Sequence, residues 1–378
     1  MADLNDPLLR YKTGLMLIPG IGGILARKLV EYTGSPEAVF RSDQATLQKI
    51  PGIGRTLAGN ILDSRVLEEA DREIDFLSRY NIRALYYLDD DYPARLKECQ
   101  DAPVVLFSRG NANLDSVKVL SIIGTRSASD YGTGFCRELV ADLAARGHDP
   151  LIVSGLAYGI DICAHRAALD NGLQTVAVLA HGLSTIYPPE HRKTAKKIAV
   201  QGALVSDFGS KTGPERGNFL KRNRIIAGLA DATVVIESSL SGGAMITAGF
   251  AGSYNRDVFA LPGRITDKRS HGCNSLIKTN RAALIEKTGD LEYILGWEPG
   301  TGKLPDDKQM LFPGTGDDEK AILRMLEVNS CMSADQISAG LGLGAGKTSF
   351  LLLNLEFMGY ILSLPGKMYK LSATAINR

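Results

Sequence analysis

Long apolar runs and paired cysteines are scarce in this 378-residue sequence. No apolar run is long enough to span a bilayer, which excludes a transmembrane helix. The chain begins with MADLNDPLLR, in which no basic segment precedes an apolar core, so we predict no secretory signal. The five cysteines are odd in number and lack CxxC spacing, which favours a reducing compartment over a disulfide framework. We therefore expect a cytoplasmic protein without a membrane partner.

Net charge is also nearly absent, because 43 Lys and Arg residues against 42 Asp and Glu residues give +1. A net charge of +1 does not attract nucleic acid to the whole surface, so a nucleic-acid site has to be a local basic region. His165, His181, His191 and Cys163 do not have metal-ligand spacing, and helix-lining or hydrogen-bonded roles are favoured for them. We predict no metal, no cofactor and no catalytic residue.

One pattern occurs twice in residues 1–75. Pro19-Gly20-Ile21-Gly22 and Pro51-Gly52-Ile53-Gly54 each precede a helical segment, which indicates one supersecondary unit used twice. Each copy resembles the hairpin of a helix-hairpin-helix motif, and neither has the third glycine of a dinucleotide fingerprint. The predicted domain is all-α and SAM-like. Nine basic against eleven acidic residues give it a net charge of −2, so DNA binding and simple packing both stay open for its hairpins.

Strand-like and helical segments alternate through residues 76–297, which we assign to a second domain. Strands are expected near 117–123, 151–153, 175–180, 203–205, 232–236 and 257–261, with helices between them. Such alternation predicts an α/β fold with an extended Rossmann-like parallel sheet. Apolar runs at Ala84–Leu88 and Val104–Phe107 are expected to form edge strands that lead into it.

Three Gly- and Ser-rich turns follow strands of this sheet, at residues 124–126, 154–159 and 241–243. Turns after parallel strands lie at one edge, so the three are expected to converge on a single crevice. The amides at a helix N-terminus can hold a phosphate, and Arg126 would add a full charge.

A basic helix is predicted between the second and third turns. On a 3.6-residue helix Arg222 shares the face of Ile225 and Ile226, so its guanidinium is expected to be buried. A buried guanidinium requires an anion, which could be a ligand phosphate or a structural carboxylate such as Asp207 or Glu237. Lys221 and Arg224 lie on the other side as a second basic spot.

The C-terminal part consists of a predicted linker and a third predicted domain. Residues 298–317 read as a linker rich in Pro, Gly and Asp, and residues 318–378 contain three helical segments and a terminal hairpin, which indicates a winged helix. Its third helical segment, SFLLLNLEFM, is apolar on nearly every side and therefore favours packing or interaction over groove reading. The stretch 340–348 mimics a Walker A loop, but Leu341 replaces the first required glycine and no strand precedes it, so a helix-to-helix turn is predicted.

The central domain also contains IIGTRSASDYG, VSGLAYGIDICAH, VLAHGLSTIYPPEH, FLKRNRIIAGLADATVVIE, LSGGAMITAGFA and VFALPGRITDKRSHGCNSLI. In order and spacing these motifs resemble the DNA-processing protein A family (DprA, also called Smf). The resemblance implies a homodimer that binds single-stranded DNA, protects incoming DNA and loads the RecA recombinase during natural transformation, without enzymatic activity. By position it places these residues around the DNA phosphates: Gly124, Thr125, Arg126, Ser154, Gly155, Lys221, Arg222, Asn223, Arg224, Ser241, Gly242 and Gly243.

Binding of this kind needs a basic groove and surfaces on which bases stack. Tyr158, Tyr187 and Phe219 are the candidate stacking residues, although a core position is favoured for each. The alternative function is a Rossmann-like phosphoribohydrolase that cleaves nucleotide N-glycosidic bonds, because its PGGxGTxxE loop resembles residues 240–247. That reaction requires a carboxylate after the threonine, and residues 248–250 supply none.

Overall fold

The computed structural model describes residues 6–298, 316–329, 332–364 and 368–372. Contacts divide the chain into two compact units, Met1–Gly302 and Lys303–Arg378. Most of the predicted linker lies outside the described residues. Among the helices described, none is long and apolar enough to cross a membrane.

The N-terminal module is built from six helices, α1 to α6: Leu9–Leu17, Gly23–Thr33, Pro36–Arg41, Gln44–Gln48, Arg55–Ile61 and Ser64–Tyr80. Helix starts follow local capping chemistry, since the Ser35 hydroxyl accepts from the Ala38 amide and the Asp43 carboxylate accepts from the Thr46 amide. The longest helix, α6, ends at Asn81 in the left-handed conformation.

The two hairpins of this module exchange equivalent contacts. Lys28 Nζ donates to the Pro51 carbonyl at 3.0 Å, and Asn60 Nδ2 donates to the Pro19 carbonyl at 3.0 Å. Residues 28 and 60, like residues 19 and 51, are 32 positions apart, so the two copies are related by a pseudo-twofold axis. The prediction of one unit used twice is confirmed.

A mixed sheet forms the body of the first unit. Its order is β1-β2-β6-β5-β4-β3-β7-β8-β9, in which neighbours from β6 to β9 are parallel, β2 is antiparallel to β6, and β1 is antiparallel to β2. The predicted edge strands and parallel core are thus confirmed. The strands β1 to β9 are Arg83–Tyr86, Val105–Gly110, Val119–Gly124, Leu151–Ser154, Thr175–Val178, Ala203–Ser206, Ala232–Ile236, Asp257–Ala260 and Ala283–Leu284.

Helices cover both faces of the sheet, so its central strands read as continuous apolar runs. In β3, Ile122 packs towards α8 and α9, whereas Ile123 packs towards α11 and α12. The helices α7 to α14 are Ala94–Lys97, Asp130–Ala145, Ile160–Asp170, Arg192–Gln201, Arg216–Leu229, Gly243–Ser253, His271–Lys278 and Thr288–Leu295, and a short 3₁₀ helix covers Pro189–His191.

The helical module and the sheet share one hydrophobic core. Leu77 of α6 and Phe107 of β2 belong to the same buried cluster. Beside it, the buried carboxylate of Glu73 accepts from the Ser210 amide at 2.9 Å and from the Ser210 hydroxyl at 2.7 Å. These bonds fix the loop after β6 to the helical module.

The second unit contains three helices and a small sheet, as the winged-helix prediction requires. Its described elements are α15 Asp317–Asn329, β10 Met332–Ser333, α16 Ala334–Leu341, α17 Ala345–Phe357, β11 Ile361–Leu364 and β12 Met368–Leu371. Gly342, with φ of 63°, ends α16 directly before α17, so the Walker-like stretch is a helix-to-helix turn as predicted. Phe350, Leu353 and Phe357 are exposed along one side of α17, and this apolar side offers no polar groove-reading surface.

Candidate nucleic-acid interface

The three Gly- and Ser-rich turns meet at one edge of the sheet, because β4, β3 and β7 are parallel neighbours. The Thr125 amide donates to the Glu237 carbonyl at 2.8 Å, and the Ile160 amide donates to the Thr125 carbonyl at 3.2 Å. The first turn is therefore bonded to both others, and the predicted convergence is confirmed.

Backbone conformation shows how tightly these turns are packed. Gly159 has φ of 75°, and a Cβ atom added there would lie 2.1 Å from the Thr125 carbonyl oxygen. Leu156 and Glu237, the residues at which the second and third turns begin to bend, have φ of 59° and 56°. Left-handed conformations are rare for such side chains and are held by their surroundings, which is common at functional loops.

The chain's own carboxylate occupies the N-terminus of α8, the helix after the first turn. Glu237 is buried and accepts from the Ser129 amide at 2.9 Å, and it also accepts from the Ser129 hydroxyl. The Ser129 amide at this helix start therefore already has an anion, and the Gly132 amide donates to the Ser129 hydroxyl, so, contrary to the expectation, these two amides are not free for a phosphate.

A carboxylate of the chain also accepts a hydrogen bond from the backbone of the second turn. Asp161, in the first turn of α9, is buried and accepts from the Ala157 amide at 3.4 Å. Burial raises the pKa of Asp161, and the nearby Arg222 guanidinium opposes that rise.

The third turn is open. Gly242 precedes α12 and has no side chain to cap it, and among the described residues no other side chain accepts from the first amides of this helix. Ser241 and Gly243 are exposed beside it. Of the three helix starts, the start of α12 is the one at which no carboxylate of the described residues accepts from a backbone amide.

Arg222 lies on the buried face of α11, as predicted, but its partners differ from the expected ones. Only 3% of the residue is exposed, and its guanidinium donates to the Gly155 carbonyl at 2.6 Å and to the Val178 carbonyl. Burial lowers the pKa of Arg222 to about 10, which leaves it charged at neutral pH. We expected Arg222 to line the phosphate pocket or to pair with Asp207 or Glu237. Instead it is buried beneath the second turn and bonds to its backbone.

The carboxylate of Asp207 pairs instead with Arg224, whose guanidinium also donates to the Asp101 carbonyl. Arg224 is therefore committed inside the protein, and the second basic spot reduces to Lys221, which is exposed. Asn223 is largely buried and its Nδ2 lies 3.5 Å from the Gly243 carbonyl, which ties α11 to the third turn.

Ser154 is likewise buried, with its hydroxyl donating to the Ile122 carbonyl at 2.6 Å. Gly155 is buried against the Arg222 guanidinium, and Gly124 is packed against the Ile236 carbonyl. The twelve residues thus fall into an exposed set and a supporting set. The supporting set is Ser154, Gly155, Arg222 and Asn223, which are buried, together with Gly124 and Arg224, which are half-buried but packed or paired inside the protein. The remaining members are exposed or half-exposed: Thr125, Arg126, Lys221, Ser241, Gly242 and Gly243.

A pair of aromatic rings lies beside Arg126. Its guanidinium carbon lies 5.3 Å from the centre of the Phe219 ring, and the Tyr187 ring packs edge-on against Phe219 at 6.0 Å. Tyr158 and Tyr187 are each 42% exposed, which corrects the expectation that these rings belong to the core. Tyr158 also donates to Glu190 at 2.8 Å. Exposed rings next to an exposed arginine offer surfaces on which bases can stack.

The histidines near the site have structural partners. His165 Nδ1 lies 2.7 Å from the Thr175 hydroxyl, and His191 Nδ1 lies 2.8 Å from the Leu156 carbonyl. No cluster of metal-binding side chains occurs in the described part of the chain. Sequence reasoning missed the capping roles of Glu237 and Asp161, although an acidic residue in the first turn of a helix, as Asp161 is, was an available signal.

Three family models match the chain. They are DNA recombination-mediator protein A over residues 83–295, the SAM-like helix-hairpin-helix tandem over residues 13–65, and the DprA winged helix domain over residues 307–367. The matched ranges correspond to the central sheet domain, the N-terminal module and the C-terminal unit.

Curated relatives match along nearly the whole chain. Protein Smf of Synechocystis sp. is 32% identical over 93% of this chain and 96% of its own length. The putative DNA processing protein DprA of Mycobacterium tuberculosis is 34% identical over 92% of this chain and 90% of its own length.

Two solved structures share the fold and about a third of the sequence. DNA processing protein A from Streptococcus pneumoniae superposes with a TM-score of 0.65 at 31% identity, covering 76% of this chain and 98% of that one. The protein of the same name from Helicobacter pylori, described for its single-stranded DNA binding mode, gives a TM-score of 0.52 at 30% identity, covering 58% of this chain and 97% of that one.

Proposed function

Because the chain belongs to the DNA recombination-mediator protein A (DprA/Smf) family, we propose that it binds single-stranded DNA at the meeting point of its three turns. The Helicobacter pylori relative binds single-stranded DNA, which supports this proposal. The observation that carries it in this chain is the group formed by exposed Arg126, the uncapped start of α12 and the exposed Tyr158 and Tyr187 rings.

Each part of this group has a role in holding an unpaired strand. Arg126 and Lys221 supply charge for the phosphates, and the amides of Gly243 and Ala244 supply hydrogen-bond donors. Tyr158 and Tyr187 stack with bases, which works for any base because each has a π face. Arg222 bonds to the second turn and Asn223 to the third from inside the protein.

The first test is a titration of labelled oligo-dT, with a duplex of equal length as competitor. The strand is expected to bind tightly at low salt, and its affinity should fall with a log–log slope of about 0.7 per phosphate engaged. If the duplex competes poorly, the protein binds through unpaired bases, as stacking requires. Equal competition by duplex, or an affinity that does not depend on salt, would contradict the proposed function.

We further propose that the protein is a cytoplasmic homodimer that protects incoming strands and loads RecA recombinase during natural transformation. Candidate contacts for the dimer are three exposed apolar side chains: Ile246 on α12, Ile265 in the loop after β8 and Leu284 on the edge strand β9. Light scattering tests the dimer. RecA loading is tested by the rate of filament assembly on strands coated with single-strand binding protein, which should rise when this protein is added.

The proposed activity is binding without catalysis. The two carboxylates that accept hydrogen bonds from backbone amides at the turns, Glu237 and Asp161, are both buried. Residues 248–250 lie in the middle of α12 and bring no acid to the third turn. Incubation with nucleoside monophosphates should therefore release no free base.

A further inference from the structure

A second basic surface lies at the outer edge of the sheet, in a cleft of about 1400 Å³ that none of the twelve candidate residues lines. Four cations line it: Arg83 on β1, Arg109 on β2, and Arg192 and Lys196 on α10. Among the described residues none of the four cleft cations forms an ion pair, so their charge is available to a ligand.

One wall of the cleft is a stripe along α10. Arg192, Ala195, Lys196 and Ala199 follow the i, i+3, i+4, i+7 spacing that brings residues to one side of a helix. The two alanines leave room between the flanking cations. The other exposed cations of this helix, Lys193 and Lys197, do not line the cleft.

The opposite wall offers a hydrogen-bond donor without a partner and an exposed ring. Arg83 Nε is buried and has no hydrogen-bond partner among the described residues. The Arg109 guanidinium carbon lies 5.9 Å from the centre of the Tyr80 ring, and Tyr80 is 44% exposed.

The cleft reaches the three-turn site through one short segment. Ser184, Thr185 and Ile186 line the cleft, and the next residue is Tyr187, whose ring packs against Phe219 beside Arg126. The stacking rings and the cleft are therefore joined by consecutive residues of one segment.

Carboxylates in this region do not cancel its charge. Asp91 and Asp115 line the cleft, and Asp115 accepts from the Ala94 amide at 2.8 Å, where it caps α7. Glu190 lies between the two sites and accepts from the Tyr158 hydroxyl. Four cations against two carboxylates leave the cleft positive.

We propose that this cleft binds the sugar-phosphate backbone of the strand held at the three turns and continues its path along α10. The proposal rests on the proposed function. Cations spaced along a wall, with an aromatic ring beside them, are the features that single-strand binding grooves use to follow a backbone without reading sequence.

The test compares two double variants of the full-length protein with matched charge loss on one helix. Arg192→Ala with Lys196→Ala removes the cleft cations, and Lys193→Ala with Lys197→Ala removes their neighbours on the other side. Each is titrated with oligo-dT of about four and of about sixteen nucleotides, the range of site sizes in single-strand binding folds. Equal thermal unfolding midpoints confirm that all four residues are surface positions.

The cleft variant is expected to bind the long strand about tenfold more weakly at low salt, with a salt slope lower by roughly 1.4 for two lost phosphate contacts. Its affinity for the short strand should equal that of the wild type, and the control variant should match the wild type with both. Equal losses in the two variants, or no loss in the cleft variant, would overturn the cleft assignment alone. Failure of the wild type to bind either strand would overturn the proposed function and the cleft together.

Discussion

The Arg222 guanidinium donates a 2.6 Å hydrogen bond to the carbonyl oxygen of Gly155, 67 residues away in the chain. This bond joins the buried face of α11 to the second turn of the site. It makes Arg222 a positioning residue, whereas Arg126 is exposed at the same turns, where a ligand can reach it.

Replacing Arg222 with alanine should therefore reduce stability before anything else. The change leaves the Gly155 and Val178 carbonyls without their donor and leaves buried Asp161 without its nearby cation, which should cost about 3–5 kcal/mol of unfolding free energy. Urea denaturation followed by circular dichroism measures this. Arg222→Lys, which keeps the charge, should lose less. An alanine variant as stable as the wild type but weak in DNA binding would show that Arg222 contacts DNA directly.

Gly159→Ala tests whether the packing of the turns matters for binding. The left-handed φ strains any side chain, and the new Cβ would also clash with the Thr125 carbonyl. Gly172→Ala is the control for a left-handed φ without a clash, because Gly172 has the same φ of 75° and open space around it. The control should lose about 1–2 kcal/mol of stability from strain alone. Gly159→Ala should lose more and should also bind oligo-dT more weakly; equal behaviour of the two variants would contradict the convergence of the turns as the basis of the site.

The fold could be predicted from the sequence more completely than the candidate site. The strand and helix pattern of the sheet follows from the alternation of short apolar runs with helical segments, and the meeting of the turns follows from parallel strand ends. Helical phase also placed Arg222 correctly on a buried face.

The partners of the buried cations were not accessible in the same way. Arg222 satisfies its donors on carbonyls from the second turn and from β5, and Arg224 takes the carboxylate of Asp207. Such pairings depend on tertiary distances that a one-dimensional pattern does not contain. The same holds for Tyr158 and Tyr187, whose exposure depends on how the loop after β5 lies over the sheet edge.

His165 should make the protein sensitive to acid. Burial holds the pKa of His165 at about 3, well below the 6.5 of an unfolded chain, and a proton on its ring would add charge beside Arg222. Below pH 6.5 the unfolded chain takes up a proton that the folded chain does not. Stability from this residue is therefore present above pH 6.5 and lost as the pH falls towards 3, at up to about 1.4 kcal/mol per pH unit.

The check is urea denaturation from pH 7.5 to 5 on the wild type and on His165→Gln, which cannot be protonated. The stability difference between the two proteins should shrink as the pH falls. Parallel curves would mean that His165 is not held neutral in the folded state.

Cys163 should be the most reactive thiol of the described residues. A hydrogen bond from the Cys136 thiol lowers the pKa of Cys163 to about 7, whereas burial raises the pKa values of Cys99 and Cys273 to about 11. Alkylation by iodoacetamide, mapped by mass spectrometry, should modify Cys163 first, with a rate midpoint near pH 7. Cys136→Ala should move that midpoint upwards. A wild-type midpoint at the ordinary thiol value would show that the two thiols do not interact.

The central claim is tested most directly by titrating oligo-dT with Arg126→Ala beside Lys278→Ala. Both variants lose one exposed cation, but Lys278 lies at the far end of α13, away from the turns. Loss of a charged hydrogen bond to phosphate costs about 1.5–3 kcal/mol, so Arg126→Ala should bind roughly 10- to 100-fold more weakly, while Lys278→Ala binds as the wild type does. Equal affinities for Arg126→Ala and the wild type at low salt would contradict the placement of the strand at these turns.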